Sequence, residues 1–323
     1  MRERVKFWVL LALGIIEVFG VSLLFALALG PQQATAPQQQ PSPSTQQNAP
    51  AQQTSSSPSG QSAAPAPSGN APATAAAPPS PQEAQDYNAI EKETDPDKQL
   101  QLVKDFEKKY PNSSLLSDAY FFGASAAERK NDVTHALDYG QKSLKLRPDN
   151  LRSLILVASL LPLPQALQGT DQKKEQQLDE SETDANHALQ LLNNVQRQPQ
   201  IPEDQFNKNK ALIQAQLHAA LGMAHLEKAV MAPKGPDTNE LASAEQEFKS
   251  AVQSPEPSPQ DYYRLGEVYV RENKLDDAIN AFTQAAKLGQ GTLIQQYANN
   301  MIEKLKAAKA KSSNSSPADQ QQQ

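Results

Sequence analysis

The hydrophobic positions of this chain fall into three regimes. Over 7–29 they are continuous, with Glu17 the one ionisable residue among 23. Over 31–81 they thin to alanine alone: there is no Leu, Ile, Val or aromatic residue. After Ser80 they return at three- and four-residue spacings, broken at Asn, Asp, Gly and Pro, which predicts a succession of amphipathic helices. In this last regime Leu154, Val157, Ala158 and Leu161 share one helix face. Ala185, Leu189 and Leu192 share the next, displaced by about 15 residues around 162–180 relative to an even period. His218, Leu221, Gly222 and His225 then mark a further helix, followed by Ala244, Phe248 and Ala251 on another, with a lengthened connection over 231–238. Leu293, Ile294, Tyr297, Met301, Ile302 and Leu305 form one face of a terminal helix. Lys304, Lys306 and Lys309 lie in its last turns, where the helix dipole favours cations.

The continuous run would make roughly 34 Å of helix, enough to cross a hydrocarbon core of about 30 Å with some tilt. Arg2, Arg4 and Lys6 precede it and the next basic residue is Lys92, so the positive-inside bias keeps the N-terminus cytoplasmic and exports the rest. Ala26-Leu27-Ala28 has the form of a signal-peptidase site. The apolar run is longer than a cleaved signal's usual 7–15 residues, so a retained anchor is expected. Glu17 in mid-bilayer costs about 2.5–3.5 kcal/mol, which the surrounding Leu, Ile, Val and Phe can offset. Ser22, Ala26 and Gly30 would allow close approach of a second membrane helix.

Composition sharpens this layout. The 323 residues carry a net charge of −6, yet residues 31–82 hold no Asp, Glu, Lys or Arg and much of the proline. Such a segment buries too little apolar area to offset the entropy of ordering and is expected to be a disordered stalk. It spans on the order of 40 Å as a flexible coil. A proline-rich ligand is the other reading, without flanking basic residues to support it. Cysteine is absent, which excludes disulfides, thiolate zinc sites, Fe–S clusters, a cysteine nucleophile and a lipoprotein anchor. An acidic body without a basic block argues against nucleic acid.

The stretch of 34 residues from Pro259, PQDYYRLGEVYVRENKLDDAINAFTQAAKLGQGT, resembles the tetratricopeptide repeat (TPR). Tyr262, Leu265-Gly266, Tyr269, Ala278, Phe282 and Ala285 stand at its large and small signature positions; Gln290 replaces the late proline. A looser unit at 117–150 has Tyr120, Asn131 at the turn, Ala136 and Pro148. Residues 80–113, closing on Tyr110-Pro111-Asn112-Ser113, resemble the degenerate first repeat of bacterial envelope proteins. The resemblance implies an all-α, TPR-type helical solenoid over 82–310, of about five helix pairs plus a C-terminal capping helix, after the anchor (1–30) and linker (31–81). Residues 311–323 read as a disordered tail.

No constellation of acid, base and nucleophile emerges, and the chain reads as non-enzymatic, with no cofactor. His218 and His225 lie seven apart on one helix face, which could suggest a metal pair. They also fill packing positions of the repeat and lack a third ligand at metal-site spacing. His135 and His187 read as surface residues. Gly123-Ala124-Ser125-Ala126-Ala127 lacks the second glycine of a nucleophile elbow. Gly289-Gln290-Gly291 follows a helix, not a strand.

The resemblance implies a groove lined by the first helix of each pair. Carried over by position, its residues are Asp118, Phe121, Ser125, Glu128 and Arg129; Gln216, Ala219, Met223, Leu226 and Glu227; and Gln260, Tyr263, Glu267, Val270 and Arg271. This mixture suits an extended peptide or a partner helix, unless a neighbouring loop covers Phe121 and Met223. Phe121, Phe122 and Ser125 stand where chaperone-tail-binding repeats carry a carboxylate clamp, so that specificity is not expected. The leading expectation is a protein-binding scaffold on a stalk, anchored in the bacterial inner membrane with its repeats in the periplasm. A periplasmic holdase and a self-assembling envelope component, with possible homo-oligomers, are the other readings.

Overall fold

The computed structural model describes residues 78–314; the expected membrane segment, most of the linker and residues 315–323 of the tail lie outside them. Among the described residues there are eleven α-helices and no strand. They are α1 (Pro81–Lys92), α2 (Pro96–Lys109), α3 (Leu116–Arg129), α4 (Val133–Leu146), α5 (Leu151–Leu160), α6 (Asp171–Asn194), α7 (Glu203–Met231), α8 (Thr238–Ala251), α9 (Pro259–Arg271), α10 (Leu275–Leu288) and α11 (Leu293–Asn314). No helix here is long and apolar enough to cross a membrane.

Local chemistry explains where most helices begin. Ser80 and Glu83 form a reciprocal capping box at α1, and the side chains of Asp95, Asp132, Asn150, Thr170, Asp237 and Ser258 each accept an N–H of the first turn that follows. These satisfy backbone donors that have no partner within the helix. The turns inside two pairs are alike. Asn131 and Asn273 both adopt φ 59°, a left-handed conformation that asparagine tolerates better than most residues. In each case the next N–H reaches back five residues, Asp132 to Ala127 (2.9 Å) and Lys274 to Tyr269 (2.8 Å).

Within a pair, a glycine of the first helix lies against a ring of the second. A Cβ on Gly266 would stand 2.8 Å from the Phe282 ring, on Gly222 3.0 Å from Phe248, and on Gly123 3.2 Å from Tyr139. Close packing of this kind is what a small residue opposite a large one permits. First helices also pack on one another in series, α1 on α3, α3 on α5, α5 on α7, α7 on α9 and α9 on α11, so they share one side of the array. At the end, Ile294, Ala298, Met301, Ile302 and Leu305 of α11 are buried against the last pair, as a capping helix requires.

Three helices depart from the expected boundaries. The extra residues after Leu161 are in large part helix, because α6 starts at Asp171 and runs for 24 residues. α7 starts at Glu203 and runs for 29 residues, upstream of its expected signature positions. α11 continues to Asn314, past the boundary expected for the tail.

Candidate functional site

The first-helix side of α5, α7 and α9 encloses a cavity of about 250 Å³. Its apolar wall includes Leu163, Leu212, Ala219 and Met223, and its polar wall Gln216 and Asp261. Five of the residues expected in the groove, Gln216, Ala219, Met223, Gln260 and Tyr263, therefore converge here. Gln216 is oriented by α5, donating its amide to the Ser159 hydroxyl at 3.2 Å. Tyr263 is held edge-on to Phe282, ring centroids 5.1 Å apart. Its hydroxyl is buried without a hydrogen-bond partner, an arrangement uncommon in folded proteins.

The cavity's charge is set by α7 and α9. Asp261, the third residue of α9, is only 7% exposed. Burial pushes its carboxyl up to about 7, with Arg264 pulling the other way. Arg264 is engaged by Glu267 at 2.7 Å, and Arg271 donates to the Glu267 carbonyl at 3.1 Å. Glu227 on α7 is also raised by burial, opposed by Arg264 and Arg271. Lys174 of α6 also opposes the shift of Glu227, so three carboxyl groups meet three cations on this face. At the rim, Glu256 is paired with Lys208 of α7 at 2.5 Å.

The expected groove residues of α3 are placed differently. Asp118 is 2% exposed and accepts from Arg152 at 2.8 Å and from Arg147. Phe121 is 1% exposed, with the Arg152 guanidinium stacked 4.7 Å from its ring centroid. The cover is a side chain of the next first helix, not a loop. Ser125 is buried and accepts from Arg129 at 3.2 Å, while Arg129 also donates to Gln99 at 2.6 Å. Glu128 keeps one carboxylate oxygen buried without a hydrogen bond, and burial pushes it up to about 8.

The histidines sit in polar pairs. His218 Nδ1 lies 2.6 Å from Glu247 and His225 Nδ1 2.7 Å from Glu240, both across the α7–α8 contact. Sequence spacing did not reveal that Glu182 of α6 joins His225 and Glu240, bringing three ligand-type atoms within 4.8 Å of one another. Lys228 meets Glu182 at 2.7 Å and Asp179 at 2.6 Å. Glu182 already faces Lys228 and Glu240 faces His225, so polar pairing among α6, α7 and α8 accounts for the cluster. His135 is largely exposed beside Asp132, and His187 lies 3.0 Å from Asp149.

No family model matches the chain, and no characterised protein matches its sequence. Among solved structures it is similar to a thermophilic TPR protein of Thermus thermophilus, over 68% of this chain and 95% of that one, at 16% identity and a TM-score of 0.44. It is also similar to MamA of Desulfovibrio magneticus, over 66% and 99%, at 18% identity and a TM-score of 0.39. Yeast Tom70 aligns over 72% of this chain and 47% of its own, at 16% identity and a TM-score of 0.32. The repeat reading rests on the chain's own matching turns and glycine–ring contacts.

Proposed function

We propose that this chain is a non-enzymatic protein-binding scaffold whose first-helix face takes an extended peptide or a helix of a partner. The observation that supports this most is the cavity between α5, α7 and α9, where Gln216, Met223 and Tyr263 meet. Small pockets that combine an apolar wall with a few fixed polar groups suit the anchor side chains of such ligands. A photo-crosslinking residue in place of Met223, in the full-length protein, should give partner adducts in cells. The same residue in place of Asn186, on the exposed side of α6, should not. Adducts at Asn186 alone would remove the reading.

The scaffold is held at the bacterial inner membrane by residues 7–29, with the helices in the periplasm at the end of a charge-free stalk. Support comes from the uninterrupted apolar run and from Arg2, Arg4 and Lys6 on its N-terminal side, as orientation follows flanking basic residues. A reporter active only outside the cytoplasm, fused after Gln323, should be active. A silent one, with a cytoplasmic reporter active in its place, would reverse the orientation.

A further inference from the structure

The cavity carries information about the chemistry of its occupant. At about 250 Å³ it falls below the roughly 300–1,000 Å³ usual for cofactors and drug-sized ligands, and suits one large side chain with adjoining backbone. Its wall is apolar along Leu163, Leu212, Ala219 and Met223. The charged group in that wall that no ion pair engages among the described residues is Asp261, since Arg264 is held by Glu267 and Glu256 by Lys208. Around it stand Glu227 of α7, Glu267, Arg264 and Arg271 of α9, and Lys174 of α6, while α5 offers Ser159 and α11 offers Ile294, which carry no charge. The buried Tyr263 hydroxyl, with no partner, is a second polar group on the same wall.

We infer that the cavity selects an extended peptide in which an apolar side chain is followed by lysine or arginine, the apolar group filling the cavity and the cation meeting Asp261. This rests on the binding-scaffold reading and specifies its ligand. An ammonium or guanidinium at Asp261 would give a buried carboxyl the ion-pair partner that it lacks among the described residues. A charge-assisted hydrogen bond there is stronger than a neutral one. An acidic peptide would place a second carboxyl beside Asp261 and bind worst.

The test uses full-length protein in mild detergent and three fluorescein-labelled decapeptides, identical but for a central Leu-Lys, Leu-Gln or Leu-Glu. Fluorescence anisotropy at pH 8 should rank Leu-Lys tighter than Leu-Gln by about tenfold, with Leu-Glu weakest. Asp261→Asn should erase the Lys-over-Gln preference and leave Leu-Gln binding within about twofold. In the wild type the preference should shrink from pH 8 to pH 6, as the carboxyl takes up its proton. Equal binding of Leu-Lys and Leu-Gln, or a preference that survives Asp261→Asn, overturns the charge inference and leaves the scaffold reading intact. Failure of all three peptides to bind overturns the scaffold reading itself. So does binding that persists in both Ala219→Trp and Met223→Glu, each confirmed as folded by its circular dichroism melt.

Discussion

Helices α3 and α9 begin corresponding pairs, carry the same Asn turn and set a glycine on a ring, yet their outer residues meet opposite fates. On α3 the aspartate is neutralised by two arginines, and one of these lies on Phe121. On α9 that position is Gln260, the aspartate one residue on, Asp261, has no ion-pair partner among the described residues, and Tyr263 borders open volume. Repeat register is shared; access is not. The difference comes from Arg147 at the end of α4 and from the following unit, which places Arg152 over α3 but Ile294 and the first turns of α11 near α9. Position within a repeat therefore tells which side chains face the first-helix side, while the next repeat decides which of them a ligand can reach.

The shared frame can be broken first. Phe282→Ala should cost about 4 kcal/mol, the transfer term plus the cavity left against Gly266, and Tyr139→Ala should cost a similar amount against Gly123. Urea unfolding of the two variants checks this; a negligible loss in either would show that the pairs do not share their packing logic.

The two aspartates should then separate in sign. Asp118→Ala should destabilise by about 3 kcal/mol, because it strips the buried partner from two arginines. Asp261→Asn should be neutral or stabilising at pH 8, because an ionised carboxyl there lacks a partner. Similar losses in both would erase the contrast between α3 and α9.

Next comes the glycine contrast. Gly266→Ala should cost about 2 kcal/mol and Gly123→Ala about 1 kcal/mol, following the shorter distance to Phe282 than to Tyr139. A reversed order of melting temperatures would contradict the closer approach in the last pair.

The last effect is a slope against pH. With its carboxyl raised to about 7 from an unfolded value near 4, Asp261 binds more protons in the folded state between those values. Its contribution is therefore fully present below pH 4 and is lost as pH rises through 7. The stability of wild type relative to Asp261→Asn should fall by up to about 4 kcal/mol across that range; a rise would reverse the assignment.

The sequence revealed much of this through particular residues. Gly266, Phe282 and Ala278 disclosed the last pair, and Asn131 the turn of the second. The early turns of α6 escaped notice because residues 171–177, DQKKEQQ, have no apolar stripe to report a period; their helix grows from the Thr170 cap in good helix formers. The cavity was half legible. Gln216, Met223 and Tyr263 follow from register, but Leu163, Leu212 and Asp261 join them through packing between units. The burial of Phe121 was illegible for the same reason, since Arg152 lies on the next helix.

The connection between α7 and α8 offers a practical handle. Gly235 takes φ 109°, and a side chain there would meet nothing within 4 Å, while its amide bonds only locally, to Ala232 at 3.3 Å. Loop tips of this kind accept inserted sequence at small entropic cost. A fluorophore-labelling tag or a small reporter domain placed after Gly235 would ride between α7 and α8. Neither the N-terminal segment nor the α11 cap would need to be altered to carry it.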